Sequence, residues 1–184
     1  KGSPNIVVAI VDNGVRTTHE DLAAALWVNP TPNSGLLDRY PNDVNGWDVA
    51  DGDNNPNPPS STTDSDAFVH GTLCAGVAGA KTDNGVGVAS IGFNIRIMAV
   101  KCTKNSAAGN TLTNAYDGVY YAIQAGADVI SMSWGGSSGS FITGENIINA
   151  GVAAGIVMVA AAAVVMIAAA RRIVTATIAF IKHK

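Results

Sequence analysis

Residues 5–14 read NIVVAIVDNG, and this stretch decides the fold class. Residues 5–11 are an unbroken apolar run rich in β-branched side chains, which predicts a strand buried on both faces of a parallel sheet. Asp12 follows that strand directly, and ligands in open α/β sheets bind beyond the carboxyl ends of the strands. A carboxylate there can orient a histidine. Taken alone, an aspartate before Asn-Gly is better explained as a turn former.

The rest of the chain alternates strands with helices. Further strands are predicted at residues 95–101, 128–133 and 156–160. Helices are predicted at residues 18–26, 70–80, 113–125 and 145–154. Residues 29–66, rich in Pro, Asn, Asp, Ser and Gly, predict a surface excursion anchored only at residues 46–49. The alternation indicates an α/β fold, a parallel sheet with helices on both faces.

The composition suits one globular domain and disfavours nucleic-acid binding. The chain has 184 residues, of which 47% are hydrophobic and 14% charged, and its net charge is −3. Such a surface offers no basic footprint for a nucleic acid. We expect a monomer without a nucleic-acid or membrane partner. The two cysteines, Cys74 and Cys102, lie in apolar segments and are predicted to be buried free thiols.

Two more segments carry residues suited to chemistry, each with a plainer alternative. His70 begins a predicted helix next to a glycine, which leaves an imidazole free to face a cleft and act as a base. A surface or capping histidine explains it equally simply. Residues 131–136, SMSWGG, end a strand in glycines that leave backbone groups open to an extended peptide. An ordinary strand end explains them too.

Taken together, these sequence blocks indicate a single protein family far more specifically than any one of them does. IVVAIVDNGV at residues 6–15, HGTLCAGVAGA at 70–80 and VISMSWGG at 129–136 have the order and spacing of the subtilisin-like serine proteases, or subtilases (peptidase family S8). HEDL at residues 19–22 and GVGVASIGFNIRIMAVKC at 85–102 resemble further steps of that family. The resemblance covers roughly residues 4–162. It implies a subtilisin-like fold in a partial catalytic domain, residues 1–162.

The resemblance also assigns roles to residues. Asp12 matches the aspartate and His70 the histidine of an Asp-His-Ser triad. Ser133, Trp134 and Gly135 match the strand that lines the specificity pocket and pairs with the substrate backbone. Gly109, within Ala108–Asn110, matches the opposite strand of the same groove. The implied function is a serine endopeptidase, secreted to the extracellular space and acting on a polypeptide substrate.

Two departures from the family bear on activity. The family carries an asparagine that donates to the oxyanion, whereas the corresponding position here is Val164. Losing one such donor typically costs about 10² to 10³ in turnover. No segment of the GTSMA type, which carries the family's serine, occurs in the chain. We therefore expect a truncated fold without appreciable peptidase activity.

Two other functions compete with the endopeptidase. A non-catalytic pseudoprotease or peptide-binding module would use the groove alone, and the missing serine favours it for this chain. A dinucleotide-binding domain would need G-x-G-x-x-G after the first strand, which residues 12–17, DNGVRT, do not supply.

Calcium is the one cofactor that the sequence indicates. By resemblance, Asp21 matches a ligand of a structural calcium, and residues 81–84 stand where other ligands would lie. Residues 43–53 also contain four aspartates, whose hard oxygens suit calcium: Asp43, Asp48, Asp51 and Asp53. A solvated acidic loop explains this segment equally well.

The end of the chain allows two interpretations. Residues 152–170 carry no charge and precede two arginines, which meets the length rule for a membrane helix. Alanine inserts weakly, however, and the spacing from residues 129–134 suits a βαβ unit. We expect residues 155–162 to form an internal strand that buries Ile156, Val157 and Val159. Residues 163–184 no longer resemble the family and form an atypical tail.

Overall fold

The computed structural model describes residues 2–33, 38–61, 67–135 and 142–161, and its centre is one parallel sheet. The strands are β1 (Val7–Asp12), β2 (Gly46–Asp48), β3 (Arg96–Lys101), β4 (Val129–Met132) and β5 (Val157–Ala160). Their order is β2-β3-β1-β4-β5, and every neighbouring pair is parallel. The apolar run that was predicted as a strand is thus the middle strand.

Helices cover both faces of this sheet, as predicted. They are α1 (His70–Gly79), α2 (Ala115–Gln124) and α3 (Ile142–Ala153), with 3-10 turns at Ala23–Ala25 and Ala67–Val69. Because side chains alternate along a strand, β1 serves two cores. Val8 and Ile10 pack with Ala75 of α1. On the other face, the core of Ala9 and Val11 includes residues of α2 and α3.

The strand register brings three charged residues to the same edge of the sheet. Asp12, the last residue of β1, is paired with Lys101 at the end of β3, and Lys101 is paired with Asp48 at the end of β2. Parallel strands in register end together, so these residues form a row at the carboxyl edge. Asp12 and Lys101 lie an even number of residues from the α1-facing core residues of β1 and β3, and Asp48 adjoins Trp47, which packs in the core on the opposite face, so the row lies on the α1 face.

The predicted helix at residues 18–26 is wrong except for the 3-10 turn at Ala23–Ala25. Leu26 has an extended backbone, with φ −65° and ψ 142°, and forms a bridge with Ile97 of β3. The next backbone N–H, of Trp27, donates to the Ile97 carbonyl at 2.8 Å. Pairing with the sheet therefore takes the backbone groups that would have continued a helix.

The strand predicted near residue 156 exists, but not as an internal strand. Within the described residues β5 is bonded to β4 alone, at the end of the sheet. Met158 is its buried side chain, whereas Val159 is 49% exposed. Residues 152–161 are divided between the end of α3 and β5, and no described helix has the length and apolarity to cross a bilayer. Residues 163–184, including Val164, lie outside the described part of the chain.

Candidate active site

The site begins with a contact between Asp12 and His70. Asp12 ends β1 and is 2% exposed, while His70 begins α1 with a side chain that is 51% exposed. His70 Nδ1 lies 2.9 Å and 3.0 Å from the two carboxylate oxygens of Asp12. A carboxylate only accepts, so Nδ1 is the donor and the neutral ring keeps its lone pair on Nε2. The buried partner thus holds a ring whose outer nitrogen is free to take a proton.

Gly71 allows α1 to begin so close to the end of β1. A Cβ at this position would lie 2.3 Å from the carbonyl oxygen of Gly14 and 3.0 Å from Cβ of Asp12. No larger residue fits without moving backbone. The glycine after His70 is therefore required by the approach that joins histidine to aspartate.

Asn13 was not singled out by the sequence analysis, yet it joins several parts of the site. Its side chain accepts a hydrogen bond from the Gly71 N–H at 2.9 Å. Its amide group donates to the carbonyl oxygens of Ala67 and Gly109, each at 2.7 Å. The Asn13 backbone N–H donates to Asp12 Oδ1 at 2.8 Å. The only available signal was its place next to Asp12.

A groove of about 1030 Å³ runs past the Asp12–His70 pair. Ser133, Trp134 and Gly135 line one side, and residues 109–117 line the other. Gly109 is buried, but Ala108–Asn110 forms a turn, with Thr111 N donating to Ala108 O at 3.0 Å, instead of the strand that the resemblance implied. The structure thus brings all the predicted groove residues to one cavity.

Trp134 is fixed in one wall of this groove. Its indole N–H donates to the carbonyl oxygen of Val11 at 2.8 Å, one residue before Asp12. The ring also packs edge-on against Tyr116, with centroids 5.7 Å apart. The side chain is half-buried, so the ring forms a rigid wall and not a mobile flap.

Comparison of the sequence with known proteins identifies the family. The profile of the Subtilase family (peptidase S8) matches residues 3–163. The chain belongs to the subtilase family. Thermitase from Thermoactinomyces vulgaris is 37% identical over 133 residues, which are 72% of this chain and 38% of that protein. A thermophilic serine proteinase from Bacillus sp. (strain AK1) is 34% identical over 160 residues, 87% of this chain and 33% of that protein.

Solved structures are similar over a comparable stretch. A protease from Pseudoalteromonas arctica superposes with a TM-score of 0.65 at 27% identity, covering 86% of this chain and 49% of that one. A cold-adapted subtilisin-like serine proteinase, at 20% identity and a TM-score of 0.55, shows the same fold. The chain spans a third to a half of the length of these subtilases.

A thiol lies beside the ring of His70. Cys74 follows His70 by one helical turn, and its Sγ lies 3.9 Å from both Nδ1 and Nε2, beside the ring and not in line with one nitrogen. Burial, and then the Asp12 charge, raise the pKa of the Cys74 thiol. A protonated thiol is a poor nucleophile. Both cysteines are free, as expected, but only Cys102 is fully buried. The four-residue spacing could have revealed the Cys74 contact.

Asp21, the calcium ligand implied by resemblance, is surrounded by hydrogen-bond donors. Its two carboxylate oxygens accept from Val88 N–H and from Asn84 Nδ2, each at 2.8 Å. These bonds, that of Val88 first, hold the pKa of Asp21 below its ordinary value. The Asn84 side-chain oxygen accepts from Val86 N–H at 3.1 Å. A calcium ion needs oxygen lone pairs directed at it. Asn84 turns its amide N–H group, and not its oxygen, toward Asp21, so in this arrangement the loop does not present a calcium ligand set.

The aspartates of residues 43–53 do not converge on an empty cation site either. Lys101 Nζ donates to Asp48 at 2.5 Å and to Asp51 at 3.2 Å. Asp43 accepts from the Tyr121 hydroxyl at 2.7 Å, and Asp53 accepts from Asn55 N–H at 2.8 Å. An ammonium group of the protein itself thus stands where an external cation would bind. Within the described ranges, Asp12, His70 and Cys74 are the ligand types close enough to share an ion.

Proposed function

We propose that this chain contributes the aspartate–histidine half of a serine endopeptidase, with Asp12 and His70 as its catalytic pair. The observation that carries the proposal is the Nδ1 contact of 2.9 Å between His70 and a buried carboxylate at the carboxyl edge of the sheet. In this proposal residues 1–162 are the partial catalytic domain, and residues 163–184 are an atypical tail whose sequence does not resemble the family.

The geometry assigns a role to each member of the pair. A serine hydroxyl placed beside His70 Nε2 would lose its proton to that nitrogen as its oxygen attacks a scissile carbonyl. Asp12 would hold the ring in the tautomer with Nδ1 protonated and stabilise the imidazolium that forms. His70 would then return the proton to the leaving amine.

The groove suits an extended polypeptide substrate. Ser133 and Gly135 follow β4 where strand pairing has ended, so their backbone groups are placed to pair with a substrate strand. The turn at Gly109 forms the opposite side of the groove, and the fixed Trp134 ring narrows the groove at its apolar wall. A bulky aromatic wall favours smaller apolar side chains in the part of the groove that it lines.

A second candidate is a peptide-binding module without turnover. Within the described residues, the groove is lined on both sides, but no serine hydroxyl forms a hydrogen bond with the His70 ring. We propose that the chain by itself binds peptides and does not hydrolyse them. We propose that it acts as a monomer outside the cell, because its relatives include the halolysin-like extracellular serine protease Nep of Natrialba magadii.

Binding and turnover should be measured on the same preparation. A succinylated tetrapeptide nitroanilide is titrated into the ¹⁵N-labelled chain, and release of nitroaniline and labelling by a fluorophosphonate probe are followed in parallel. We expect shifts of the Trp134 indole resonance, with turnover and labelling equal to those of His70→Ala. Turnover that His70→Ala abolishes would show that the chain is active alone. A probe that shifts no groove resonance would refute the peptide-binding role.

A further inference from the structure

The side chain of Asn13 is buried and all of its hydrogen-bonding groups are used. The residue is 3% exposed. Both amide hydrogens and the amide oxygen are engaged, by Ala67, Gly109 and Gly71, which lie 54, 96 and 58 residues away along the chain. One side chain therefore joins the end of β1 to three remote segments.

These contacts are not those of a simple turn former. An asparagine that stabilises a turn bonds its own backbone about two residues further on. The only local contact of Asn13 is its backbone N–H to Asp12 Oδ1. Its side chain acts at long range, on the residue after His70 and on the wall of the groove.

We propose that Asn13 is a positioning residue that couples the groove wall at Gly109 to the hydrogen bond between Asp12 and His70. The Gly71 bond fixes the first turn of α1, and with it the ring of His70. The Gly109 bond fixes the turn that faces Ser133 and Trp134 across the groove. Because one rigid amide makes both contacts, displacement of the wall moves the start of α1. This role of Asn13 deepens the proposed function, but only its expected effect on peptide binding rests on that function.

Two uncharged substitutions test this coupling. Asn13→Ser keeps a short polar group, whereas Asn13→Ala removes every side-chain bond. Asn45 supplies the matched control, since it is half-buried, donates to the Trp27 carbonyl at 2.8 Å, and lies at the amino edge of the sheet, before β2. Asn45→Ser and Asn45→Ala therefore remove a comparable bond far from the site.

The decisive readout is the ring of His70, because a merely structural role would not change it. Ring ¹⁵N shifts report which nitrogen carries the proton. In both Asn13 variants we expect a smaller fraction of the Nδ1-protonated tautomer and about tenfold weaker binding of the tetrapeptide nitroanilide. The Asn45 variants should unfold at lower urea concentration and keep the His70 shifts and the affinity of the unaltered chain.

The remaining outcomes would count against either the coupling role of Asn13 or the proposed function. Folded Asn13 variants with unaltered His70 shifts would overturn it, and so would Asn45 variants that change those shifts equally. If neither Asn13 variant folds while both Asn45 variants do, Asn13 is a folding determinant and the positioning role is abandoned. If the unaltered chain binds no peptide, the proposed function fails, but the His70 shifts still decide the role of Asn13.

Discussion

Two pairs of ionisable side chains, Asp12–His70 and Lys101–Asp48, lie side by side at the carboxyl edge of the sheet, and they differ in access to solvent. Asp12 and Lys101 are register partners on neighbouring strands. Asp12 contacts a histidine whose side chain is 51% exposed, whereas Lys101 and Asp48 are 0% and 1% exposed. One pair faces the groove, and the other is enclosed by the protein.

The comparison shows that position at the edge does not by itself make a site. Lys101 donates to the buried Asp48 and to Asp51, whose side chain is 26% exposed, so its ammonium group is already paired within the protein. His70 has one nitrogen on Asp12, and its half-exposed ring has only the Cys74 thiol, 3.9 Å away, beside the other nitrogen among the described residues. Chemistry is therefore available only to Asp12–His70, the open pair, whereas Lys101–Asp48, the closed pair, should matter for stability.

The largest expected effect is on the closed pair. Lys101→Met leaves the Asp48 carboxylate buried without its cation, and breaking a buried pair in this way typically costs about 3–5 kcal/mol. Urea unfolding should show this loss. The control is Lys104→Met, at an exposed lysine, with an expected change within about 0.5 kcal/mol. A loss below about 1 kcal/mol for Lys101→Met would mean that the pair is not closed in solution.

A smaller loss is expected for the open pair. His70→Ala removes a half-exposed ring, and the buried Asp12 carboxylate keeps the Asn13 N–H as a donor. We expect about 1–2 kcal/mol, the usual cost of one lost hydrogen bond at a buried acceptor. The same urea experiment measures it. If His70→Ala destabilised the chain more than Lys101→Met, the ranking of the two pairs would be reversed.

The pH dependence should reveal the contribution of Asp51, the second carboxylate that Lys101 contacts. Burial raises the pKa of Asp51, but Asn105 N–H and the Lys101 ammonium outweigh it, so the pKa falls below the ordinary value of 3.8. A lowered folded-state pKa gives stability that is present above the unfolded-state pKa and is lost as the pH falls below it. Urea midpoints should decrease below about pH 4, and less steeply in Asp51→Asn. An unchanged acid limb in Asp51→Asn would contradict the Lys101–Asp51 contact.

The fold was more predictable than the contacts at its edge. The run before Asp12 could be recognised as a buried strand because β-branched apolar residues fill it, and the motif order placed Asp12 near His70. The partner of Lys101 could not be found in this way, since Asp48 lies 53 residues away in a segment without periodicity. The long-range contacts of Asn13 could not be predicted, because an Asn-Gly pair indicates a turn. The helix prediction for residues 18–26 was wrong because Leu26 pairs with β3 instead of continuing a helix.

The last and smallest effect concerns calcium, and it extends the comparison to a third carboxylate. Asp48 faces an ammonium and Asp21 faces N–H donors, so neither carboxylate is met by the further oxygen ligands that a calcium ion needs. A site that binds calcium would stabilise the fold by about 2.7 kcal/mol at a hundredfold excess over its Kd, which is several degrees in Tm for a domain of this size. We instead expect Tm values in excess calcium and in excess EDTA to agree within about 1 °C. Asp21→Asn serves as the control, because it removes the negative charge of the candidate ligand while preserving the side-chain shape. A Tm that rises by several degrees with calcium, and does not rise in Asp21→Asn, would show that the loop of residues 81–88 rearranges around an ion. The distinction between open and closed sites would then apply to the Asp12 and Lys101 pairs alone.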